Sequence, residues 1–190
     1  MAEMGRVSRF FVNRFNARRN ARVFAWVRDE APLPDAATCL EIGCGNGDLA
    51  SRIVHGFHPS RYVATDLDPR QLDAAREHLE KAYANGIPPT LELREADMLH
   101  LPFADGSFDS VLAVVSIHHA SPNHHDPVNV PHALAEIDRV LRPGGALLYE
   151  EILHKEIIRS WLQAHGYALS GIRRGFKREA VVARKPGGRG

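Results

Sequence analysis

The sequence holds only two cysteines, Cys39 and Cys44, and they stand outside any C-x-x-C spacing. Cys39 falls in an apolar, strand-like run, so neither a disulfide framework nor a cysteine zinc site is expected, and a reducing compartment fits this usage. Long hydrophobic runs are missing as well. No stretch approaches the roughly 18 apolar residues that span a bilayer, and Phe10-Phe11-Val12 is too short to be the hydrophobic region of a signal peptide. The expectation is a soluble, cytoplasmic protein with no membrane partner. Net charge is nearly absent, +1 at pH 7, which removes any overall electrostatic reason to expect nucleic acid. The local exception is a stretch carrying Arg6, Arg9, Arg14, Arg18, Arg19, Arg22 and Arg28 with no acid among them. Internal repeats are lacking, and only the segment 186–190 is compositionally loose.

What is present is one domain's worth of chain, 190 residues, in which strand-like and helix-like segments alternate. Ala37–Ile42 is an apolar strand ending in glycines, and Gly47–Gly56 continues as a short helix. After the strand Arg61–Asp66, Asp68-Pro69 opens a helix with a carboxylate cap and a first-turn proline. Leu72, Ala75, Leu79 and Ala82 recur along it at helical spacing. Thr90–Glu95 alternates like a strand, and Phe108–Val115 is apolar enough to be buried on both faces. Val130, Leu134, Ile137 and Leu141 mark another helix, closed by Arg142-Pro143-Gly144-Gly145 and followed by the strand Ala146–Tyr149. Glu156–His165 is an amphipathic helix, and Tyr167–Arg173 with Glu179–Ala183 can form a final antiparallel pair. Such alternation requires crossover connections, hence a parallel sheet with helices on both faces. Ligands then bind outside the carboxyl ends of the strands, just after Ile42, Asp66, Glu95, Val115 and Tyr149.

At the first of these ends stands Glu41-Ile42-Gly43-Cys44-Gly45-Asn46-Gly47. A dinucleotide fingerprint needs Gly or Ala where Asp48 stands, and a carboxylate there opposes a pyrophosphate at a helix N-terminus. No Gly-Lys-Ser/Thr follows, which excludes a P-loop. A ligand with a cationic or zwitterionic end fits better. About twenty residues on, Asp66 closes the second strand, where an acid can accept hydrogen bonds from both ribose hydroxyls. Asp68 is better placed to cap the helix, which leaves Asp66 free for a ligand. Glu95-Ala96-Asp97-Met98 follows the third strand and offers a carboxylate and a backbone N–H to a base.

These runs, LEIGCGNGDLA, VATDLDP, EADMLHLPFADGSFDSVLAVVSIHH and EIDRVLRPGGALLYEE, resemble the class I S-adenosylmethionine-dependent methyltransferases, nearest the small type 11 family. The resemblance covers Ala37 to Glu151 and implies an α/β, single-domain, Rossmann-like doubly wound sheet. That sheet has seven strands, mostly parallel with an antiparallel last strand, and helices on both faces. It implies S-adenosylmethionine as cofactor, with S-adenosylhomocysteine as product. It assigns Glu41 and the backbone of Gly43, Cys44, Gly45, Asn46 and Gly47 to the methionine part. Asp66 goes to the ribose, Leu67 to the adenine face, Asp97 and the Met98 backbone to the adenine edge. Ser116 and Ile117 go to the methionine end and the substrate mouth.

Methyl transfer is an in-line displacement on an activated sulfonium, so a base is needed only for a protonated nucleophile. His118 is the candidate, because imidazole titrates near neutral pH. Ser116–His132 also holds His119, His124, His125, Asp126 and His132. No metal is expected from them, since prolines interrupt the stretch and no pair has the i, i+4 spacing of a known motif; His124 and His125 are expected as solvated residues at the active-site mouth. Segment 1–30 reads as an amphipathic basic helix with Phe10, Phe11, Phe15, Val23, Trp26 and Val27 on its apolar side, a lid over the site. Segment 31–185 is the catalytic domain and 186–190 a tail. A small-molecule acceptor is expected, an anionic one if the arginines reach it. The alternatives are an RNA or protein acceptor met by the same arginines, and a non-catalytic binding subunit. A nicotinamide enzyme is disfavoured by Asp48 and the lack of a Tyr-x-x-x-Lys relay.

Overall fold

The computed structural model describes the backbone of residues 6–175 and 177–188, with side chains from Asn16 onward. Its core is a seven-stranded sheet in the order β3-β2-β1-β4-β5-β7-β6. The strands are β1 Thr38–Ile42, β2 Arg61–Asp66, β3 Leu91–Glu95, β4 Phe108–Val114, β5 Leu141–Glu151, β6 Ala168–Arg174 and β7 Glu179–Arg184. All pairs from β3 to β5 are parallel, and β7 runs antiparallel to both β5 and β6. The helices are α1 Arg6–Glu30, α2 Asp48–Phe57, α3 Pro69–Ala82, α4 Val130–Val140 and α5 Lys155–Ala164.

Alternation along each strand divides the core into two layers. Cys39, Tyr62, Ala64, Leu112, Leu148 and Val182 face α1, α2 and the buried Leu79 of α3. Their neighbours Leu40, Val63, Val111, Leu147 and Val181 face α4 and α5. Both faces are covered, so the central strands carry apolar side chains at successive positions.

Asp68 caps α3, its carboxylate accepting from the Arg70 N–H, with Pro69 in the first turn. α1 is tied to the domain by Val23, Trp26 and Val27 in the first core layer, and Trp26 Nε1 donates to the Gly171 carbonyl at 2.9 Å. Phe24 seats where α2 has Gly56; a Cβ there would come 2.5 Å from the Phe24 ring. Phe10, Phe11 and Phe15, with Arg6, Arg9 and Arg14, have side chains outside the described residues. In the 186–190 segment, Pro186 accepts a hydrogen bond from the Gly144 N–H at 3.2 Å, and residues 189–190 lie outside the described ones.

Most boundaries shift by a single residue, and the start of β5 differs by more. β5 begins at Leu141, not at Ala146, because Leu141 pairs with Phe108 before the chain bulges through Pro143-Gly144-Gly145 and resumes with Ala146 opposite Ser110. The proline and a Gly144 φ of +77° belong to that bulge. Among the described residues no helix is long and apolar enough to cross a membrane.

Candidate active site

Strand order reverses between β1 and β4, which are neighbours although two strands separate them in sequence. A crevice opens there at the carboxyl ends, as it does at such switch points generally. The structure brings residues from four strand ends to one cavity of about 740 Å³, lined by Ile42, Gly43, Gly45, Asp66, Leu67, Asp97, Met98, Val115, Ser116 and His119. A second cavity, about 520 Å³, shares Asn16, Gly43 and Gly45 with it and adds Arg19, Asn20, Glu41, Cys44 and Asn46.

The glycine loop is shaped by positive backbone angles, φ +70° at Gly43 and +73° at Gly47. A Cβ at Gly43 would lie 2.7 Å from Ser116 Cβ, and one at Gly47 3.1 Å from Ala75 Cβ. Gly43 therefore lets β1 and the end of β4 approach closely, and Gly47 lets α3 pack under the loop. Asp66 braces the same loop: Oδ2 accepts from the Gly45 N–H at 2.9 Å and Oδ1 from the Asp68 N–H at 3.0 Å. This corrects the expectation that Asp66 is free. Two of its roughly four acceptor positions are used, and the rest remain for a ligand. Asp97 similarly gives one oxygen to the Leu99 N–H at 2.9 Å. Leu67, a large apolar side chain, is 62% exposed at the cavity wall. Ser116 Oγ is buried and has no hydrogen-bond partner among the described residues.

Glu41 is 3% exposed and faces the α1 layer. The Tyr62 hydroxyl donates to its Oε2 at 2.8 Å. Burial pushes its carboxyl up to about 8, against the pull of the Tyr62 hydrogen bond and the Arg19 charge. Burial draws the Arg19 guanidinium down, opposed by the charges of Glu150 and Glu41. Cys44 and Cys39 are buried free thiols, and burial raises Cys39 to about 12.

Beyond β4 the chain makes a 3-10 turn, Ile117–Ala120, which periodicity did not indicate. Val115, just before it, takes φ +56°, a strained angle for a β-branched residue. Ile117 is fully buried in the core and belongs to the α4 layer. His118 is 4% exposed and is not on the wall of the large cavity; His119 is. His118 Nδ1 lies 2.7 Å from Glu151 Oε2, while Glu151 Oε1 accepts from the Ile117 N–H at 2.7 Å. Burial, followed by the neighbouring His118 and His124, lowers the His119 pKa.

Sequence reading gave Glu150 and Glu151 no role. Consecutive strand residues point to opposite faces, so Glu151 meets the 3-10 turn while Glu150 meets α1. Arg22 binds Glu150 at 3.1 Å and Arg178 binds it at 3.0 Å. The acid pair at a parallel strand's carboxyl end was the available signal. Over this part of the edge lies a cavity of about 760 Å³ lined by Arg22, Lys155, Arg173, Arg174, Lys177 and Arg178 around Val23, Trp26, Ile152, Leu153 and the single acid Glu150. Of the α1 arginines, Arg22 is thus engaged with Glu150 and Arg28 with Asp29.

Strand order, switch-point crevice and antiparallel β7 together define a Rossmann-like fold of the methyltransferase type. The methyltransferase-domain family model matches residues 40–149, more than half of the chain, and the chain belongs to that family. It is 33% identical over 122 residues to a phthiotriol/phenolphthiotriol dimycocerosates methyltransferase of Mycobacterium leprae, a match covering 64% of this chain and 40% of that protein. A fatty-acid O-methyltransferase of Mycolicibacterium smegmatis is 35% identical over 125 residues, covering 66% and 40%. The chain spans about two fifths of the length of these relatives. The solved structure of an O-methyltransferase family protein from Burkholderia thailandensis superposes with a TM-score of 0.78 at 18% identity, covering 96% of this chain and 60% of that one, a likeness of fold.

Proposed function

We propose that the protein is an S-adenosylmethionine-dependent methyltransferase acting on a small-molecule acceptor that carries an anionic group. The observation that carries this reading is the single cavity lined from four strand ends by Gly43, Asp66, Leu67, Asp97 and Ser116. These residues fit the cofactor part by part. Asp66 keeps acceptor positions for ribose hydroxyls, Leu67 offers an apolar face to the base, and Asp97 with the Met98 backbone offers its edge polar partners. The partnerless Ser116 Oγ and the close approach at Gly43 suit the methionine end. Glu41 and Arg19 line the adjoining cavity and offer a buried carboxyl and a guanidinium to the amino and carboxylate groups of the methionine part.

S-adenosylmethionine, when bound, supplies a methyl group already activated on sulfur. The chain's own contribution is to hold the reactants in line, an effect worth roughly 7–11 kcal/mol. His118, expected as a base, is held at Nδ1 by Glu151 and is buried off the wall of the cofactor cavity. The anionic acceptor is supported by the arginine-walled cavity, whose cations surround an apolar floor of Val23, Trp26 and Leu153. Arginine's planar fork suits a carboxylate or phosphate, and a fatty-acid methyltransferase among the relatives acts, by its name, on such a molecule.

Calorimetric titration with S-adenosylmethionine and S-adenosylhomocysteine tests the cofactor; absence of binding by either at millimolar concentration sinks the reading. Arg22→Gln with Arg178→Gln should raise KM for a carboxylate acceptor and leave S-adenosylhomocysteine affinity as it was. Unchanged KM would refute the anionic acceptor.

A further inference from the structure

We propose that His118, His119 and His124 form a binding site for a divalent transition-metal ion of the zinc class. The 3-10 turn and the loop after it bring one ring nitrogen from each histidine within 4.8 Å of the others. His119 Nδ1 and His124 Nε2 are 3.0 Å apart. Two nitrogens sharing a tetrahedral zinc at about 2.0–2.1 Å stand roughly 3.3 Å apart, so that pair is already near coordinating distance. Small rotations about χ1 and χ2 of His119 and His124, both exposed, complete the approach to His118.

The third ligand is the best prepared. His118 Nδ1 is held at 2.7 Å by the buried Glu151, which fixes the tautomer with Nδ1 protonated and leaves Nε2 to bind the metal. A carboxylate behind a histidine behind a metal is the arrangement that raises ligand basicity and locks ring orientation. Glu151 is itself fixed, since its other oxygen accepts from the Ile117 N–H. The loop carrying the second exposed ligand is anchored too: His154 Nε2 lies 2.8 Å from the His124 carbonyl oxygen. His132 goes elsewhere, edge-on to His100. Imidazole ligands suit zinc, copper, iron or nickel rather than magnesium or calcium.

Helical i, i+4 spacing was the wrong template for this stretch. The ligands come from adjacent positions of a tight turn and from the loop folding back over it. Three protein ligands leave a fourth position for water or an oxygen of the acceptor, and His119 also lines the large cavity beside Ser116. The site stands apart from the cofactor reading and does not require it.

The test uses the full chain without an affinity tag, stripped with chelator and titrated with cobalt(II) and then zinc. One equivalent of cobalt should give the visible absorption of a tetrahedral, nitrogen-rich site, and one equivalent of zinc should displace it. His124→Ala should weaken zinc binding at least roughly 100-fold, and Glu151→Gln roughly 10- to 100-fold by loosening the buried ligand. No stoichiometric uptake, or equal affinity in His124→Ala, overturns the proposal. The same stripped sample is titrated with S-adenosylhomocysteine. Binding of the nucleoside without cobalt uptake defeats the metal site alone, and cobalt uptake without nucleoside binding defeats the cofactor reading alone.

Discussion

Glu41→Gln should make the protein more stable, by an amount that depends on pH in a defined window. The wild-type carboxyl is buried beneath the glycine loop, where desolvation lifts it from an ordinary 4.5 to about 8. Between those two pH values the folded chain keeps a proton that the unfolded chain has released. Unfolding then releases a proton, so wild-type stability falls as pH rises through the window and levels off above about 8. Each pH unit inside it costs about 1.4 kcal/mol. Glutamine is neutral throughout and can still accept from the Tyr62 hydroxyl, so it lacks this slope. The smaller effects of Tyr62, Arg19, Asp48 and Asp66 on this carboxyl are already contained in that value. Urea unfolding at unit steps from pH 5 to 9, with m held equal, gives that difference directly. It should widen by about 1.4 kcal/mol per unit up to about pH 8 and then stay flat. A constant offset across the whole range would show that Glu41 is not held protonated, and the argument would fail.

Gly43→Ala forces a side chain into a left-handed angle and against Ser116 Cβ, so it should lower Tm and abolish the rise in Tm given by S-adenosylhomocysteine; an unaltered rise refutes the close-approach role. Asp66→Asn should weaken S-adenosylhomocysteine roughly 10- to 100-fold in calorimetry, the scale of one charge-assisted hydrogen bond. Equal affinity would leave Asp66 only its bonds to the Gly45 and Asp68 N–H groups. Glu151→Ala strips the acceptor from the Ile117 N–H and from His118 Nδ1. At about 1–3 kcal/mol for each buried group left unpaired, it should cost roughly 2–5 kcal/mol in urea unfolding, and a loss below about 1 kcal/mol would mean that water reaches these groups.

Most of the fold was readable because the central strands of this sheet are apolar on both faces and each crossover carries its own stop signals. Asp68-Pro69 marks one helix start, and Asp68 does cap it. The cavity-lining residues Gly43, Asp66, Asp97 and Met98 were readable because they sit at strand ends, and strand ends share an edge; Leu67 and Ser116 came only with the family resemblance. Three features were not. The extension of β5 through Pro143-Gly144-Gly145 hides behind residues that normally end a strand, and a bulge accommodates them. The 3-10 turn at Ile117–Ala120 is too short to show periodicity, yet it decides that His118 goes inward and His119 outward. The partners of Glu150 and Glu151 lie far off in sequence, at Arg22 and Arg178 and at His118, and no local spacing reports such pairings.

Those two acids explain how one strand end can serve two kinds of chemistry. At the tip of β5, Glu150 turns to the α1 layer and holds Arg22 and Arg178 at the lining of the basic cavity. Glu151 turns to the opposite layer and holds His118 and the Ile117 N–H. The split follows from the two-residue repeat of a strand, so a one-residue slip of β5 would exchange an arginine clamp for a histidine clamp and ruin both. What prevents the slip is the ladder on each side: Val111 against Leu147 toward β4, and Leu148 against Val182 toward β7. Val115 belongs to the same device. Its N–H donates to the Glu150 carbonyl at 2.7 Å, which holds a strained φ of +56° at a cost of roughly 1–3 kcal/mol. That angle ends β4 abruptly, setting Ser116 against Gly43 and starting the turn that carries the histidines. The strain therefore sits where one change of chain direction presents the buried Ser116 hydroxyl and the histidine cluster from a single strand end.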